Sequence, residues 1–183
     1  NDKTLNQIIN LTANLNLTLG LIPVGPDNRI AKLLGIPEGE KACDILSARI
    51  VKKLDLGKIN NYYFLTCIEL GGEKISLACD NSFFINLEKG DNIINVSNLN
   101  FYRRTLTDPE DGDLDLFVEQ NEKGLWRRKG VSLSRFQSKV IEIDSPKSIP
   151  ILINDEKRII KTPAHIKISG KKLRMIVGKK RLF

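Results

Sequence analysis

The order of apolar and polar residues along the chain follows two different periods. Up to residue 53, apolar residues recur at intervals of three and four, as they do on one face of an α-helix. From Leu54 onwards, short segments rich in strand-forming residues are separated by turn-forming residues. The sequence therefore predicts a small α/β region at residues 1–53 and a β-rich region at residues 54–183.

The first region has the signals of alternating helices and a strand. Its predicted elements are helices at residues 4–15, 29–34 and 38–53, and a buried strand at residues 17–24. Thr4 is the candidate N-cap of the first helix, and Asp27 or Asn28 that of the second, because short polar side chains accept hydrogen bonds from free backbone amides. Gly35 and Pro37 are expected to end the second helix.

The second region opens with a predicted hairpin, in which residues 54–59 and 62–70 are joined by a turn at Asn60 and Asn61. Further predicted strands cover residues 74–79, 83–87, 93–101, 114–119, 140–143, 149–153, 159–161, 166–168 and 173–177. Many short strands with turns between them predict a β-sandwich or barrel, so the fold class is mainly β (α+β).

The charge balance favours an anionic partner. The chain has 183 residues and a net charge of +7, from 29 Lys and Arg against 22 Asp and Glu. Basic residues cluster at 127–129, 171–172 and 179–181, which suits a membrane surface, nucleotide phosphates or nucleic acid. Nucleic acid is disfavoured because no aromatic residues are interleaved with these clusters. A solvated basic surface without a partner is the alternative.

Cysteine and apolar content point to a cytoplasmic protein. Cys43, Cys67 and Cys79 are widely spaced, no CxxC occurs and His165 is the single histidine, so a zinc site is disfavoured and reduced thiols are expected. The sequence has no apolar run of about 18 residues and no signal-peptide pattern, so we expect at most a peripheral membrane location. The missing initiator Met suggests that residues precede Asn1.

Four segments stand out, and each has a structural explanation of its own. They are NDKTLNQ at 1–7, PVGPDNRIAKLLGIP at 23–37, DPEDGDLDL at 108–116, and the stretch from Val140 to Pro163 that contains Asn154-Asp155-Glu156. Taken one at a time, they can be capping residues, a strand–turn–helix punctuated by glycine and proline, an acidic turn, and a surface glutamate in a β-turn.

In this order and spacing, the four segments resemble the lipid kinase family that includes bacterial diacylglycerol kinases and sphingosine kinases. The first is similar to the end of a GGDGTLNE motif, whose glycine-rich loop approaches the ATP phosphates. Asp2 and Thr4 match that motif, whereas Asn1 and Lys3 stand where the family has glycine. A lysine there resists the positive φ and close approach that glycine permits.

The second segment resembles the family pattern P-x-G-T-x-N-D-F-A-R-x-L-G-I-P. Gly25 and Asn28 match it, while Pro26 and Arg29 replace the family Thr and Asp. The resemblance implies nucleotide-binding roles for Thr4, Gly25 and Asn28, and places Asp2 in the active site.

The third and fourth segments resemble parts of the family's lipid domain. In some bacterial members the region that matches Asp111 holds a structural Mg²⁺, so the resemblance implies Asp111 as the metal-binding residue, and oxygen-rich loops suit that hard cation. Glu156 matches the Glu of a D-G-E motif, which resembles a general base for the lipid hydroxyl. Asn154 and Asp155 replace the first two residues of that motif.

The resemblance implies a fold and a function. The chain would hold the end of a nucleotide-binding domain at residues 1–53 and a β-rich lipid-binding domain at 54–183. The intact protein would phosphorylate a lipid hydroxyl, such as that of diacylglycerol, with ATP and Mg²⁺ as cofactors. Candidate residues to line a pocket for the lipid tail are Phe64, Leu65, Phe83, Phe84 and Phe101.

A second hypothesis is a degenerate, inactive relative that binds lipid or a partner protein. Lys3, Pro26 and Arg29 favour it, whereas Asp2 and Glu156 favour the active kinase. The sequence leaves both open.

Overall fold

The computed structural model of the chain describes residues 1–26, 28–88, 92–122, 130–153 and 156–183. Several sequence predictions lie outside this part: the cap at Asp27, the basic cluster at 127–129, the residues Asn154 and Asp155, and the side chain of Phe101. The helices are α1 (Asp2–Thr12), α2 (Arg29–Leu33) and α3 (Ala42–Ala48), with a 3₁₀ turn at Gly39–Lys41 before α3.

Strands dominate the described residues, which confirms the mainly β fold. They are β1 (Thr18–Leu19), β2 (Val51–Ile59), β3 (Tyr62–Phe64), β4 (Cys67–Gly72), β5 (Ile75–Cys79), β6 (Phe83–Leu87), β7 (Asn92–Ser97), β8 (Phe101–Tyr102), β9 (Thr105–Leu106), β10 (Leu114–Glu122), β11 (Gly130–Ser138), β12 (Val140–Asp144), β13 (Ile149–Ile153), β14 (Glu156–Ile160) and β15 (Ala164–Ile176).

The strands form two large sheets that pack face to face. The first has the order β3-β2-β15-β12-β5-β6, with β1 added parallel to β15, and the second has the order β11-β10-β7-β4-β13-β14. Alternate residues of both sheets point into one shared core, as expected for strands with one buried face. Representative core residues are Ile59, Ile68, Leu77, Val96, Leu116, Ile141, Ile151 and Ile166.

A second core lies between the helices and the far ends of β2 and β15. It contains residues such as Leu5, Ile9, Ile30, Leu34, Leu54, Leu56, Met175 and Val177. Strand β2 contributes Leu54 and Leu56 to this core and Ile59 to the core between the sheets. The boundary predicted after residue 53 therefore falls inside a strand that both cores share, and the division into two domains stays a prediction.

The predicted helix at 38–53 is wrong over its last part. Helix α3 ends at Ala48 because Arg49 adopts a left-handed conformation with φ 50°, a common way to end a helix. Val51 then begins β2 and pairs with Ile176 of β15. Pairing along a long neighbouring strand outweighs the helical spacing of the local sequence.

Smaller differences concern the ends of elements and strands that the sequence pattern did not reveal. The N-cap of α1 is Asn1, whose Oδ1 accepts a hydrogen bond from the Thr4 backbone N–H, so Thr4 is not the cap. Only Thr18 and Leu19 of the predicted strand at 17–24 form a strand. Strand β11 and the β8–β9 hairpin were not predicted.

The outer face of the second sheet carries a buried carboxylate on β10. Glu119 is 3% exposed and accepts hydrogen bonds from Arg103 Nε at 2.7 Å, Arg103 Nη2 at 2.8 Å and the Tyr102 hydroxyl at 2.5 Å. The hydrogen bonds from Arg103 hold the pKa of Glu119 below its usual value, although burial opposes them. Ionised Glu119 therefore stabilises the folded state.

This arrangement predicts a loss of stability in acid. Because the folded-state pKa of Glu119 lies below the ordinary value of 4.5, its contribution is complete above that pH and disappears as the pH falls through the folded pKa. Arg103→Gln should lower the free energy of unfolding at neutral pH, and it should lower it by a smaller amount in acid. Urea unfolding between about pH 7 and about pH 3 measures this difference. The exposed neighbour substitution Arg104→Gln is the control, and parallel curves for Arg103→Gln and wild type would contradict the expectation.

Candidate functional site

Asp2 joins the first two sequence segments. Its carboxylate accepts hydrogen bonds from the backbone N–H of Arg29 at 2.9 Å and from that of Ile30 at 3.2 and 3.3 Å. These amides are free donors in the first turn of α2, so Asp2 caps this helix from another part of the chain. Burial raises the pKa of Asp2, and the hydrogen bonds from the backbone N–H groups of Ile30 and Arg29 oppose that rise.

The turn before α2 is held by Asn28. Its side-chain Nδ2 donates to the carbonyl oxygen of Gly25 at 2.6 Å, and Asn28 makes no side-chain cap bond to α2. Gly25 has φ 79°, and no heavy atom of the described residues beyond its chain neighbours lies within 4 Å of the position that its Cβ would take. Thr4 lies in the first turn of α1, where its hydroxyl donates to Asn1 Oδ1 at 3.1 Å. The backbone around Gly25 is thus free to approach a ligand.

Lys3 links α1 to the candidate base on β14. Its Nζ lies 3.9 Å from Glu156 Oε1, and the other carboxylate oxygen, Oε2, lies 3.2 Å from Arg158 Nη2. The Arg158 guanidinium in turn lies over the Tyr62 ring, 4.0 Å from its centroid. Glu156 and Arg158 share one side of β14 because strand residues two apart point the same way. Residues 2 and 3 therefore connect three of the four segments.

A small polar pocket of about 100 Å³ lies beside Glu156. It is lined by Asn6, Gln7, Asn10, Tyr62, Tyr63, Ile153, Glu156 and Arg158. Asn10 fixes the wall between α1 and β3, since its Nδ2 donates to Tyr63 O at 2.9 Å and its Oδ1 accepts from Tyr63 N at 2.8 Å.

Asn6 lines this pocket and has a buried side-chain oxygen, Oδ1, without a hydrogen-bond partner among the described residues. The residue is 8% exposed. A buried polar atom without a partner costs free energy, so such atoms are usually bonded to an ordered water or to a bound group.

A larger groove of about 740 Å³ lies on the outer face of the second sheet. It is lined by Glu69, Leu70, Gly71, Ile93, Pro150, Ile151, Leu152, Lys157, Arg158 and Ile159. Its wall is mostly apolar, and Ile159 is 77% exposed. Arg158 lines both the groove and the polar pocket, so the two are neighbours.

The residues predicted to line a lipid pocket lie elsewhere. Phe64 and Leu65 are fully buried in the two cores, and Phe83 packs on Phe136 with ring centroids 5.2 Å apart. Phe84 is 71% exposed. None of these four lines the groove, because aromatic strand residues here either fill the core or face solvent on other strands.

Asp111 lies in an acidic turn that is anchored to β2. Its Oδ1 accepts a hydrogen bond from the Asp113 backbone N–H at 2.9 Å, and the turn is tied to β2 through Asp55, whose Oδ2 accepts from Gly112 N at 3.2 Å. Burial, and then the neighbouring carboxylates, raise the pKa of Asp111.

The described residues do not fit a magnesium site built from side chains around Asp111. They contain no group of three or more His, Cys, Asp or Glu side chains that could hold a metal ion. Among the described residues, the side chain of Asp111 is hydrogen-bonded to Asp113 and Gln137, and not to Asp2 or Glu156. Its metal-binding role stays a prediction.

Sequence reasoning missed Lys3 as a partner of Glu156, and also Arg158, Tyr62 and Asn6. Arg158 lies two residues after Glu156, and residues two apart point the same way in a strand, but the predicted strand covered 159–161 and included neither residue. The other contacts join residues that are far apart in sequence, and no local pattern predicts them.

None of the described helices is long and apolar enough to cross a membrane.

The sequence of the chain is similar to those of known lipid kinases. A family model described as the diacylglycerol kinase catalytic domain matches residues 2–59. The diacylglycerol kinase of Bacillus subtilis (strain 168) is 39% identical over 83 residues, which are 43% of this chain and 27% of the relative. The chain thus matches about a quarter of the length of that curated relative.

The fold is also found in a solved structure. The crystal structure of a diacylglycerol kinase from Bacillus anthracis str. Sterne matches with a TM-score of 0.78 and 19% sequence identity, over 99% of this chain and 75% of that chain. At this identity the likeness shows the shared fold. The family model, the curated relative and the fold agree with one another.

Proposed function

We propose that this chain, which belongs to the bacterial diacylglycerol and lipid kinase family, carries the acceptor side of a lipid kinase site. In the intact protein, the γ-phosphate of ATP would pass to a lipid hydroxyl such as that of diacylglycerol. The proposal is supported mainly by two contacts, made by the adjacent residues Asp2 and Lys3, that join three of the four family-like segments. Asp2 binds the start of α2, and Lys3 contacts Glu156.

Glu156 is the candidate general base. Its carboxylate would accept the proton of the lipid hydroxyl while the hydroxyl oxygen forms its bond to phosphorus and the bond from phosphorus to the leaving ADP oxygen breaks. Arg158 fixes one carboxylate oxygen at 3.2 Å, which limits the orientations of Glu156. The polar pocket beside it, at about 100 Å³, has room for a hydroxyl-bearing head group but not for an acyl chain.

Asn6 Oδ1 suits a second hydroxyl or another donor of the same head group. A bound donor would satisfy this buried acceptor, which has no partner among the described residues. The apolar groove begins beside the same Arg158, and its volume of about 740 Å³ is in the usual range for small-molecule sites. The lipid head would thus lie in the pocket and its tail in the groove.

The nucleotide side of the site is supported by Asp2, Gly25 and Asn28. The open space before Gly25 lets the backbone amides of the turn approach a phosphate. ATP and Mg²⁺ supply the phosphoryl group and balance its charge when they are bound. Asp2 holds the start of α2, and with it this turn, against α1, because its carboxylate accepts hydrogen bonds from the backbone N–H groups of Arg29 and Ile30.

The test is ATP-dependent phosphorylation of diacylglycerol by the intact protein in mixed micelles. Transfer of labelled phosphate from ATP to the lipid fraction is expected. A folded intact protein that transfers no label to any lipid alcohol offered would contradict the kinase proposal.

The 183-residue chain alone is expected to show no appreciable transfer. It covers 75% of the solved relative with the same fold, and Lys3, Pro26 and Arg29 replace residues of the family's phosphate loops. The same assay on the purified chain measures this. Transfer clearly above a no-enzyme blank would prove the expectation wrong.

An inactive, lipid-binding relative is the second candidate function. Two contacts support it: the Lys3 ammonium pairs with the candidate base, and both Asp2 oxygens are already occupied by backbone amides. Under this alternative, the intact protein binds lipid in the groove but does not turn over ATP. Binding of the intact protein to diacylglycerol-containing vesicles, together with no label transfer in the assay above, would favour it.

The proposed location is the cytoplasm, with peripheral contact at an anionic membrane. Diacylglycerol resides in bilayers, so a kinase for it must reach the membrane surface. The net charge of +7 is consistent with anionic lipids as the attracting surface.

A further inference from the structure

A groove with a basic rim lies between the α2–α3 region and the C-terminal segment, away from the pocket at Glu156. Its volume is about 710 Å³. Four exposed lysines line it: Lys32, Lys41, Lys179 and Lys180. Its apolar lining comes from Ile36, Pro37, Ile45, Ala48, Ile50 and Val177. Asp44 is the one carboxylate among the described lining residues, so the groove has a clear positive excess.

The C-terminal half of the rim is held firmly by backbone contacts. Gly178 N donates to Leu34 O at 2.9 Å, and Leu182 N donates to Leu33 O at 2.9 Å. Between these bonds, the backbone of residues 180–181 packs directly on Gly35. Lys179 and Lys180 are therefore fixed beside α2 and do not belong to a loose tail.

The four lysines of the rim also lack ion-pair partners among the described residues. None of them makes an ion pair within the described part of the chain, whereas Lys52 is paired with Glu110 and Lys172 with Asp55. Asp44 offsets one of these four charges, and the remaining like charges around one opening repel one another. An anion that bound there would relieve this repulsion.

We propose that this groove is the surface by which the protein docks on an anionic phospholipid bilayer. The lysine ammonium groups would bind headgroup phosphates, while Ile45 and Ile50 would contact the apolar region beneath them. The combination of a cationic rim and an apolar floor matches a lipid surface. The inference rests on the proposed lipid kinase function, because that function requires contact with a bilayer.

The lining fits a bilayer better than nucleic acid. Single-stranded nucleic acid is bound through bases stacked on aromatic rings, and no aromatic residue is among the described lining residues. An apolar floor offers nothing to a phosphate backbone. An acidic peptide remains an outcome that the test can return.

The experiment measures binding of the 183-residue chain to phosphatidylcholine vesicles with and without phosphatidylglycerol. A groove variant carries Lys32→Gln, Lys41→Gln, Lys179→Gln and Lys180→Gln. The matched control variant loses the same charge at exposed lysines that do not line the groove, by Lys74→Gln, Lys139→Gln, Lys147→Gln and Lys167→Gln.

Wild type is expected to bind the anionic vesicles more tightly than the neutral ones, and less tightly as salt is added. One lysine near an anionic surface contributes about fivefold in affinity, so the groove variant should lose on the order of a hundredfold or more at low salt. The control variant should lose clearly less. An equal loss in both variants would mean a general charge effect and would overturn the proposal.

A second readout places the groove at the membrane. An environment-sensitive fluorophore on Ala48→Cys, in a Cys43→Ser background, should shift to the blue on anionic vesicles, while the same label on Ser148→Cys should not. An unshifted label at residue 48 would also overturn the proposal. Binding to a poly-glutamate peptide or to RNA, with none to vesicles, would assign the groove to another partner.

These assays need neither ATP nor turnover. An equal loss of vesicle binding in the groove and control variants would therefore overturn the groove proposal and leave the kinase proposal standing, and an absence of turnover would leave the docking result standing.

Discussion

Glu156→Gln is expected to lower lipid phosphorylation by the intact protein by about 10²- to 10⁴-fold while the fold remains intact. Glutamine keeps the size of glutamate and can still accept a hydrogen bond from Arg158, which lies 3.2 Å from Glu156 Oε2. It cannot accept a proton at neutral pH, so the hydroxyl of the lipid would lose its base. The expected range is that usually found for the loss of general-base catalysis.

The matched control is Glu142→Gln on β12. Glu142 is likewise a half-exposed strand glutamate, with 43% of its side chain accessible, and its carboxylate lies 3.8 Å from His165 Nδ1. Both variants should change the free energy of unfolding by only about 0.5 kcal/mol, as is usual for surface substitutions. Turnover and melting temperature are measured on the same samples. Unchanged turnover in Glu156→Gln at unchanged stability would assign Glu156 a structural role and remove the candidate base.

The alternation of apolar and polar residues predicted most of the strands, because the core between the two sheets is apolar and closely packed. In β5, for example, Ile75, Leu77 and Cys79 are buried and Ser76 is exposed, which is the pattern that the sequence displays. The pattern failed at residues 49–53 because pairing with β15 determines that conformation, and the partner is more than a hundred residues away. Strand β11 was missed because its sequence, GVSLSRFQS, is mostly polar and pairs along an edge of the sheet.

The candidate site was accessible to sequence reasoning only in part. The family resemblance pointed to Asp2 and Glu156 but said nothing of how they are related in space. The contact of Lys3 with Glu156, and the Asn6 oxygen that has no partner among the described residues, depend on how α1 packs against β3 and β14. The apolar groove is built from outward-facing residues of separate strands, so its lining cannot be found from any one segment.

Gly35→Ala is expected to lower the free energy of unfolding by about 3 kcal/mol. Gly35 has φ 69°, a left-handed conformation that costs an L-residue about 1 kcal/mol. A Cβ there would also overlap the backbone of Lys180 and Arg181, and backbone cannot rotate aside as a side chain can. Overpacking of this kind typically costs about 1–3 kcal/mol. Urea unfolding measures the total loss from the conformation and the overlap, provided that the m-value is unchanged.

Gly39→Ala separates the two causes. Gly39 has φ 67°, almost the same as Gly35, but nothing lies within 4 Å of the position that its Cβ would take. Its substitution should therefore cost only about 1 kcal/mol, from the conformation alone. Because the contact at Gly35 also fixes Lys179 and Lys180 at the basic groove, Gly35→Ala should weaken binding to anionic vesicles at temperatures where it is still folded, and Gly39→Ala should not. Equal losses of stability in the two variants would show that close packing of the C-terminal segment contributes nothing measurable, and that the rim lysines are not held by it.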